Sequence, residues 1–339
     1  MSVRKILIIG GTGVISSAVL GMLAKSRDTE LYVINRGHRP LPVMANHIIC
    51  DANDTAEMQK IIGSTVFDAV IDFVVYTPDQ ARDRVYLFQN HTRQYIFIST
   101  VVVFNHENNF ILNEDSVQKN RLSQYGRDKS ACEDVFNQAA KKGFPITIVR
   151  PSQTYGFDRF PLSVKGKNCW SVVSRILSDK PVIIHGDGQS IWHMMHSFDF
   201  AYNFIQLIGN INAINRSINL VNPEIVTWDM IYDSLGKALN RKVQKVHIAS
   251  ETLAMSTKYP LSEQIAGDKQ FSNLYTDIVR DALIPDFKCL INLDKGIELY
   301  TQYIWEHSES RIEDPDFDVW CDQVINDYHA YMGRFNAKF

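Results

Sequence analysis

Six runs of apolar residues punctuate the first 150 positions, at 5–9, 31–34, 47–49, 69–75, 94–99 and 146–149. Several are apolar almost throughout and do not alternate with polar positions, the pattern of strands covered on both faces. Between them, residues 14–24 and 124–140 repeat apolar side chains at helical spacing, and Asp54-Thr-Ala-Glu57 has capping-box spacing for a helix ending near Gly63. Strands and helices in alternation predict an α/β fold, a doubly wound parallel sheet over residues 1–150. Beyond Pro151 the rhythm loosens into loops rich in Lys, Gly, Asn and Trp, with a strand at 182–184 and helices near 198–208, 228–239, 294–305 and 316–332. Residues 151–339 are therefore expected to form a smaller C-terminal α/β part that binds substrate, with room for some segments to return to the sheet. No internal repeat interrupts this reading.

Composition narrows the partners. Of 339 residues 45% are hydrophobic, enough for a sizeable core, and the net charge of −3 comes without a Lys or Arg stripe that could neutralise many phosphates. Nucleic acid is thus not expected as the main ligand. The five cysteines, Cys50, Cys132, Cys169, Cys289 and Cys321, are scattered, with no paired spacing of a disulfide framework or a zinc site. Nowhere do 18 apolar residues run together, and the apolar stretch after Arg4 and Lys5 is too short for a signal peptide. These features predict a reduced, cytoplasmic protein without a membrane span.

The first strand runs into Gly10-Gly-Thr-Gly13-Val-Ile-Ser16 and then a helix. Gly10 permits the tight turn, Gly13 lets backbone amides approach a diphosphate at the positive end of the helix, and Ser16 is small enough for the close helix–strand contact. In this strand–turn–helix setting the motif predicts a Rossmann-type NAD(P) site, with Gly10, Thr12, Gly13, Val14 and Ile15 at the turn and Phe73 and Val74 after the fourth strand. The second strand ends in Asn35-Arg36-Gly37, without the acidic residue that receives the ribose hydroxyl of NAD. An Arg there can pair with a 2′-phosphate, which leans the expectation to NADP; a solvated turn arginine reads equally well from Arg36 alone. Asp51, followed by Ala52, can accept from the adenine amino group or cap the next segment. Tyr125 and Lys129, four residues apart on one helix face, pair a phenol with an ammonium that lowers its proton affinity. Thr100 at the end of the fifth strand adds a hydroxyl.

Together these segments resemble the short-chain dehydrogenase/reductase superfamily, in the extended or atypical branch that holds the NAD-dependent nucleotide-sugar epimerases and dehydratases. "IGGTGVIS" resembles its glycine motif, "ISTVVVF" its serine/threonine segment, and "YGRDK" its Tyr-x-x-x-Lys. "RPSQTYG" and "GDGQSIWHMMHSFDFA" resemble two later motifs. The resemblance implies Thr100, Tyr125 and Lys129 as the catalytic set, with Tyr125 and Lys129 also on the cofactor, Pro151 and Ser152 against the dinucleotide, and Thr100, Gln153 and Trp192 against substrate. It implies hydride transfer at a sugar or nucleotide-sugar alcohol or ketone, by an epimerase or a ketoreductase. It also leaves room for a homodimer through the helices after the fourth and fifth strands.

Departures from the pattern refine that expectation. Val101 and Val102 follow Thr100 where dehydratases carry acids, which disfavours dehydration. Trp192 stands where an Arg holds the substrate diphosphate, and Gln153 replaces an Asn, so the nucleotide of the substrate is in doubt unless Arg159, Lys165, Lys167 or Arg175 compensates. His193 and His196 lack the companions of a metal site, and no metal is expected. The competing expectation is a catalytically silent relative that binds nucleotide or RNA as a regulatory protein.

Overall fold

The computed structural model describes residues 3–107, 109–259 and 261–336. In β1 (Arg4–Ile9), Ile6 and Ile8 enter one buried apolar cluster while Leu7 and Ile9 enter another. A strand wetted on neither face has no reason to alternate polar with apolar residues, and this accounts for the unbroken run in the sequence. Next come α1 (Val14–Leu23), β2 (Thr29–Asn35), β3 (Asn46–Ile49), α2 (Thr55–Ile62), β4 (Ala69–Asp72), α3 (Pro78–Phe88), β5 (Tyr95–Ile98) and α4 (Gln124–Ala140). They are followed by β6 (Ile146–Pro151), α5 (Ser197–Phe204) and β7 (Arg216–Leu220). The sheet order is β7-β6-β5-β4-β1-β2-β3, all parallel, a Rossmann-type doubly wound arrangement. On one face α1 lies against α5; on the other α3 lies against α4.

Two elements of this sheet layer escape the periodicity reading. The apolar stripe of α3 is broken by Arg84, which is fully buried beside Ala81, Leu87 and Phe88 and paired with a buried carboxylate. Only tertiary pairing makes a guanidinium a core residue. β7 carries just Ile218 and Leu220 as apolar core residues between Arg, Ser and Asn, and becomes a strand because β6 offers it an edge.

The chain divides into two compact units. The first comprises Met1–Thr154, Met195–Pro223 and Leu274–Leu290, and holds the whole seven-stranded sheet together with a short parallel pairing of Ile111–Leu112 with Leu274–Tyr275. The second comprises Tyr155–Met194, Glu224–Asn273 and Ile291–Phe339. It is built on the helices Trp170–Leu177, Trp228–Leu239, Leu293–Glu306 and Pro315–Asn336 and on the parallel pair Val182–His185 and Lys245–Ile248. Its core gathers Trp170, Trp192, Trp228, Tyr232, Tyr300 and Trp320. The five cysteines are free thiols, and no helix among the described residues is long and apolar enough to cross a membrane.

The first unit's second apolar cluster centres on Phe136 of α4, whose ring lies 4.9 Å from Phe97, 5.4 Å from Tyr95 and 6.2 Å from Phe144. Replacing it with alanine removes a ring with no solvent exposure. Phe136→Ala should cost about 3–5 kcal/mol in urea unfolding; an unchanged midpoint would show that α4 is not held by this ring.

Candidate active site

β1 delivers the chain to Gly10 at φ +91°, a conformation natural only to glycine. A Cβ there would lie 2.5 Å from Val74 Cγ1, and one on Gly11 would lie 2.8 Å from Val33 Cγ1. The two glycines thus let the turn sit on the ends of β2 and β4. Gly13, which caps α1, donates its N–H to Ser16 Oγ at 2.8 Å, and a Cβ on it would meet only that oxygen. Within the protein there is room above Gly13, and the first-turn amides of α1 begin there. This cradle fits the diphosphate of a dinucleotide. Ser16 is buried as the small third residue, and Gly11 joins Gly10 and Gly13 as a residue the spacing alone did not single out.

At the end of β2, Asn35 Oδ1 accepts the Gly37 N–H at 2.7 Å and lies 3.0 Å from His47 Nε2, so the side chain shapes the turn that carries Arg36. Arg36 is exposed. Asp51 is exposed too; its Oδ1 accepts from the Asn53 N–H at 2.9 Å, and the cap of α2 is Asp54, which accepts from the Glu57 N–H at 3.0 Å. Of the two roles expected for Asp51, helix capping falls to Asp54. Ala52 is buried, and Phe73 and Val74 follow β4 half-buried.

Lys129 reaches the C-terminal ends of β4 and β5, Tyr125 lies one helical turn before it on α4, and Thr100 comes just after β5. Thr100 follows β5 and its Oγ1 accepts from the Val102 N–H at 3.2 Å, which opens the buried turn Val101–Val103. α4 starts at Ser123, whose hydroxyl accepts from the Gly126 N–H at 3.0 Å. Gly126 faces this turn so closely that a Cβ would collide with the Val102 carbonyl oxygen. That contact sets α4 against the strand end and explains the glycine inside "YGRDK". Tyr125, 40% exposed, and Lys129, 2% exposed, then differ sharply in surroundings although one helical turn apart. Lys129 Nζ donates to the carbonyls of Val75 at 2.7 Å and Ile98 at 2.8 Å, and lies over the rings of Phe97 at 4.7 Å, Tyr76 at 4.9 Å and Tyr125 at 5.9 Å. Burial pulls its pKa down to about 8. Charges on Cys132, Asp72 and Glu133 act in the opposite sense, but burial pushes the Cys132 thiol up to about 12, so near neutrality only the carboxylates oppose.

Behind this face lies a polar layer that joins two motif residues, Ser99 and Arg150, to Glu133 and Gln118, and Asp72 to Arg84 and Tyr95. Glu133 Oε1 accepts from Ser99 Oγ at 2.5 Å and from Arg150 Nε at 2.9 Å, and Oε2 accepts from Arg150 Nη2 at 2.6 Å and Gln118 Nε2 at 3.0 Å. Asp72 accepts from Val74 N–H, Arg84 Nε and Tyr95 Oη, each at 2.8 Å. In the sequence, Ser99 and Arg150 stand inside two of the motifs, and Asp72 is an acid within the apolar run 69–75.

Other expected site residues are placed as follows. Pro151 ends β6, with Ser152 and Gln153 half-buried after it, and Gln153 Nε2 donates to the Thr154 carbonyl at 3.1 Å. Trp192 belongs to the core of the second unit, 7% exposed and 5.1 Å from the ring of Trp228. Arg175, proposed as a compensating cation, is committed elsewhere: it is buried and paired with Asp318 and Asp322 at 2.6 Å each. His196 Nδ1 accepts from the Phe198 N–H, and burial lowers its pKa to about 4. No cluster of His, Cys, Asp and Glu suited to a metal occurs among the described residues.

The model of the NAD dependent epimerase/dehydratase family matches residues 6–220, from the glycine turn through β7. The chain belongs to this family. It lies within the extended branch of the short-chain dehydrogenases/reductases. It is similar to the 2′-dehydrokanamycin reductase of Streptomyces kanamyceticus, at 22% identity over 300 residues, 84% of this chain and 80% of that protein. It is also similar to the chloroplast stem-loop binding protein of 41 kDa b of Arabidopsis thaliana, at 24% identity over 255 residues, 70% of this chain and 64% of that protein. UDP-glucuronic acid 4-epimerase from Bacillus cereus, solved in complex with NAD, superposes with a TM-score of 0.72 at 20% identity over 89% of this chain and 99% of that one, which establishes the shared fold.

Because a side chain on Gly13 would meet little within this family member itself, Gly13→Val separates cofactor binding from folding. Dinucleotide affinity, measured by calorimetry with NADH and with NADPH, should fall by about tenfold or more, each tenfold being about 1.4 kcal/mol, with little change in Tm. Wild-type affinity in a folded variant would move the diphosphate away from this turn.

Proposed function

We propose that the protein is a nicotinamide-dependent oxidoreductase or epimerase acting on an alcohol or ketone of a sugar or sugar-like molecule, with Thr100, Tyr125 and Lys129 as its proton-handling centre. The observation that supports this reading is the Lys129 ammonium, held by the carbonyls of Val75 and Ile98 and lying 5.9 Å from the Tyr125 ring, at the strand end that Thr100 follows. On this reading Gly10, Thr12, Gly13, Val14 and Ile15 hold the diphosphate, Asn35, Arg36, Asp51 and Ala52 the adenosine side, and Phe73, Val74, Tyr125, Lys129, Pro151 and Ser152 the nicotinamide side. Bound there, the cofactor supplies a hydride to a ketone or accepts one from an alcohol. Thr100 orients the substrate oxygen. Tyr125 gives its phenolic proton to that oxygen on reduction and takes it back on oxidation. The Lys129 ammonium stabilises the phenolate and donates to the ribose.

Several features support particular choices. Val101 and Val102, which follow Thr100, offer no acid for water elimination. Trp192 buried on Trp228, and Arg175 held by two aspartates, weigh against a nucleotide diphosphate on the substrate and leave Arg159, Lys165 and Lys167 of the four cations named above. Gln153 remains assigned to substrate. Similarity to a protein named as a reductase of 2′-dehydrokanamycin supports carbonyl reduction. An epimerase retains its dinucleotide through the cycle and a reductase exchanges it, so mass spectrometry of the purified protein separates the two. The exposed Arg36, with no acid beside it, supports NADP over NAD. Arg36→Asp should shift the ratio of NADPH to NADH affinity toward NADH by about tenfold or more; an unchanged ratio would make Arg36 a turn residue only.

Tyr125→Phe removes one hydroxyl and no packing volume. Turnover, read as NADPH oxidation against a panel of sugar-derived ketones, should fall about a hundredfold to ten-thousandfold while NADPH binding persists. Lys129→Met should lower both. The Lys129 ammonium is lost as pH rises through about 8, so the rate should decline above that pH. A Tyr125→Phe enzyme with full turnover would place the chemistry elsewhere, and a protein indifferent to both substitutions would fit a silent nucleotide- or RNA-binding relative.

A further inference from the structure

The turn after β4, residues 73–76, meets three things at once. Val74 is pressed against Gly10 of the cofactor cradle, the Val75 carbonyl holds the Lys129 ammonium at 2.7 Å, and the Tyr76 ring lies under that ammonium. This turn is tied from below by one side chain. Asp72, fully buried, receives the Val74 N–H on Oδ1 at 2.8 Å, and on Oδ2 it receives Arg84 Nε of α3 and Tyr95 Oη of β5, both at 2.8 Å. The hydrogen bonds are charge-assisted and the guanidinium meets the carboxylate through Nε alone; its Nη1 and Nη2 are buried without a hydrogen-bond partner among the described residues. Such a carboxylate cannot shift without stranding Arg84, so it is a rigid post for the turn.

We propose that Asp72, locked by Arg84 and Tyr95, is a positioning residue for both the cofactor cradle and the Lys129 ammonium: it fixes the Val74–Val75 turn against Gly10 and, through that turn, the Val75 carbonyl that holds Lys129. The proposal rests on the reading of Lys129 as part of the cofactor and proton centre. The groups that face Lys129 are few. From β4 comes Asp72, with Arg84 and Tyr95 behind it. Tyr76 comes from the turn. α4 itself brings Tyr125, the neutral Cys132 thiol, and Glu133, which is matched by Arg150. Since Glu133 has an arginine on both of its oxygens, and Asp72 meets its arginine on one oxygen and gives the other to the turn, Asp72 is the carboxylate whose removal Lys129 should feel.

The test needs no substrate. In protein labelled with 13C-lysine, the Lys129 side-chain resonance is identified by its loss in Lys129→Arg, and its titration is followed in the wild type and in Asp72→Asn. The wild-type midpoint should lie near 8. Loss of the negative charge should lower it by about one unit, a tenfold loss of proton affinity, and NADPH should bind about tenfold more weakly because the Val74 turn is released. Asp72→Asn leaves Arg84 uncompensated, so Asp72→Asn/Arg84→Met, neutral at both positions, is measured beside it; it should show the same direction in both readouts. A folded variant with the Lys129 titration and NADPH affinity of the wild type overturns the proposal, as does failure of both variants to fold, which would make the array a folding element only. Neither readout uses turnover, so this outcome stands apart from that of Tyr125→Phe.

Discussion

Lys129 rides on α4 into the interior of the first unit, where two main-chain carbonyls, from the turn after β4 and from the end of β5, hold its ammonium. Placing a cation among Phe97, Tyr76 and Tyr125 costs solvation, which lowers its pKa, and the structure around it is arranged to recover part of that cost. Carbonyl oxygens at strand ends are natural partners, because the last residues of a parallel strand have acceptors that the sheet no longer uses. One side chain therefore ties α4 to the strand ends of β4 and β5, beside the turn whose Val74 meets Gly10.

The same need for close approach explains the glycines. Gly10 and Gly11 let the first turn rest on Val74 and Val33, and Gly126 lets α4 rest on the Val102 carbonyl. Each is a place where a helix or turn must touch backbone or a core side chain with no room for a Cβ. Behind the face, Asp72 with Arg84 and Glu133 with Arg150 are buried ion pairs. Such pairs gain little net stability against an apolar core, and their value here is orientation: each carboxylate also receives donors from the strand ends, Val74 N–H in one case and Ser99 Oγ in the other. Both are thus coupled to the segments that carry Thr100 and hold Lys129.

The second unit follows a different logic. Its aliphatic core carries four indoles and three phenols, and two of its cations, Arg175 and Lys180, are spent on its own helices, both bonding Asp318 and Asp322. A residue that looks available for a phosphate in the sequence is thereby removed from that role by packing, since a guanidinium with two carboxylates has little charge left to offer.

The sequence by itself determined the alternating strands and helices, the glycine turn and the spacing of Tyr125 and Lys129, because each of these is a local pattern: apolar runs, φ-permissive residues, and a four-residue helical repeat. It also carried the family, through motifs that keep their order along the chain. What it could not supply depends on residues far apart in sequence. Asp72 meets Arg84 and Tyr95 across three elements, Glu133 meets Arg150, β7 finds the edge of β6, and α3 becomes a core helix only because its arginine is neutralised from β4. A charge in an apolar pattern reads as a break until the structure shows its partner, and only tertiary structure decides whether that partner exists.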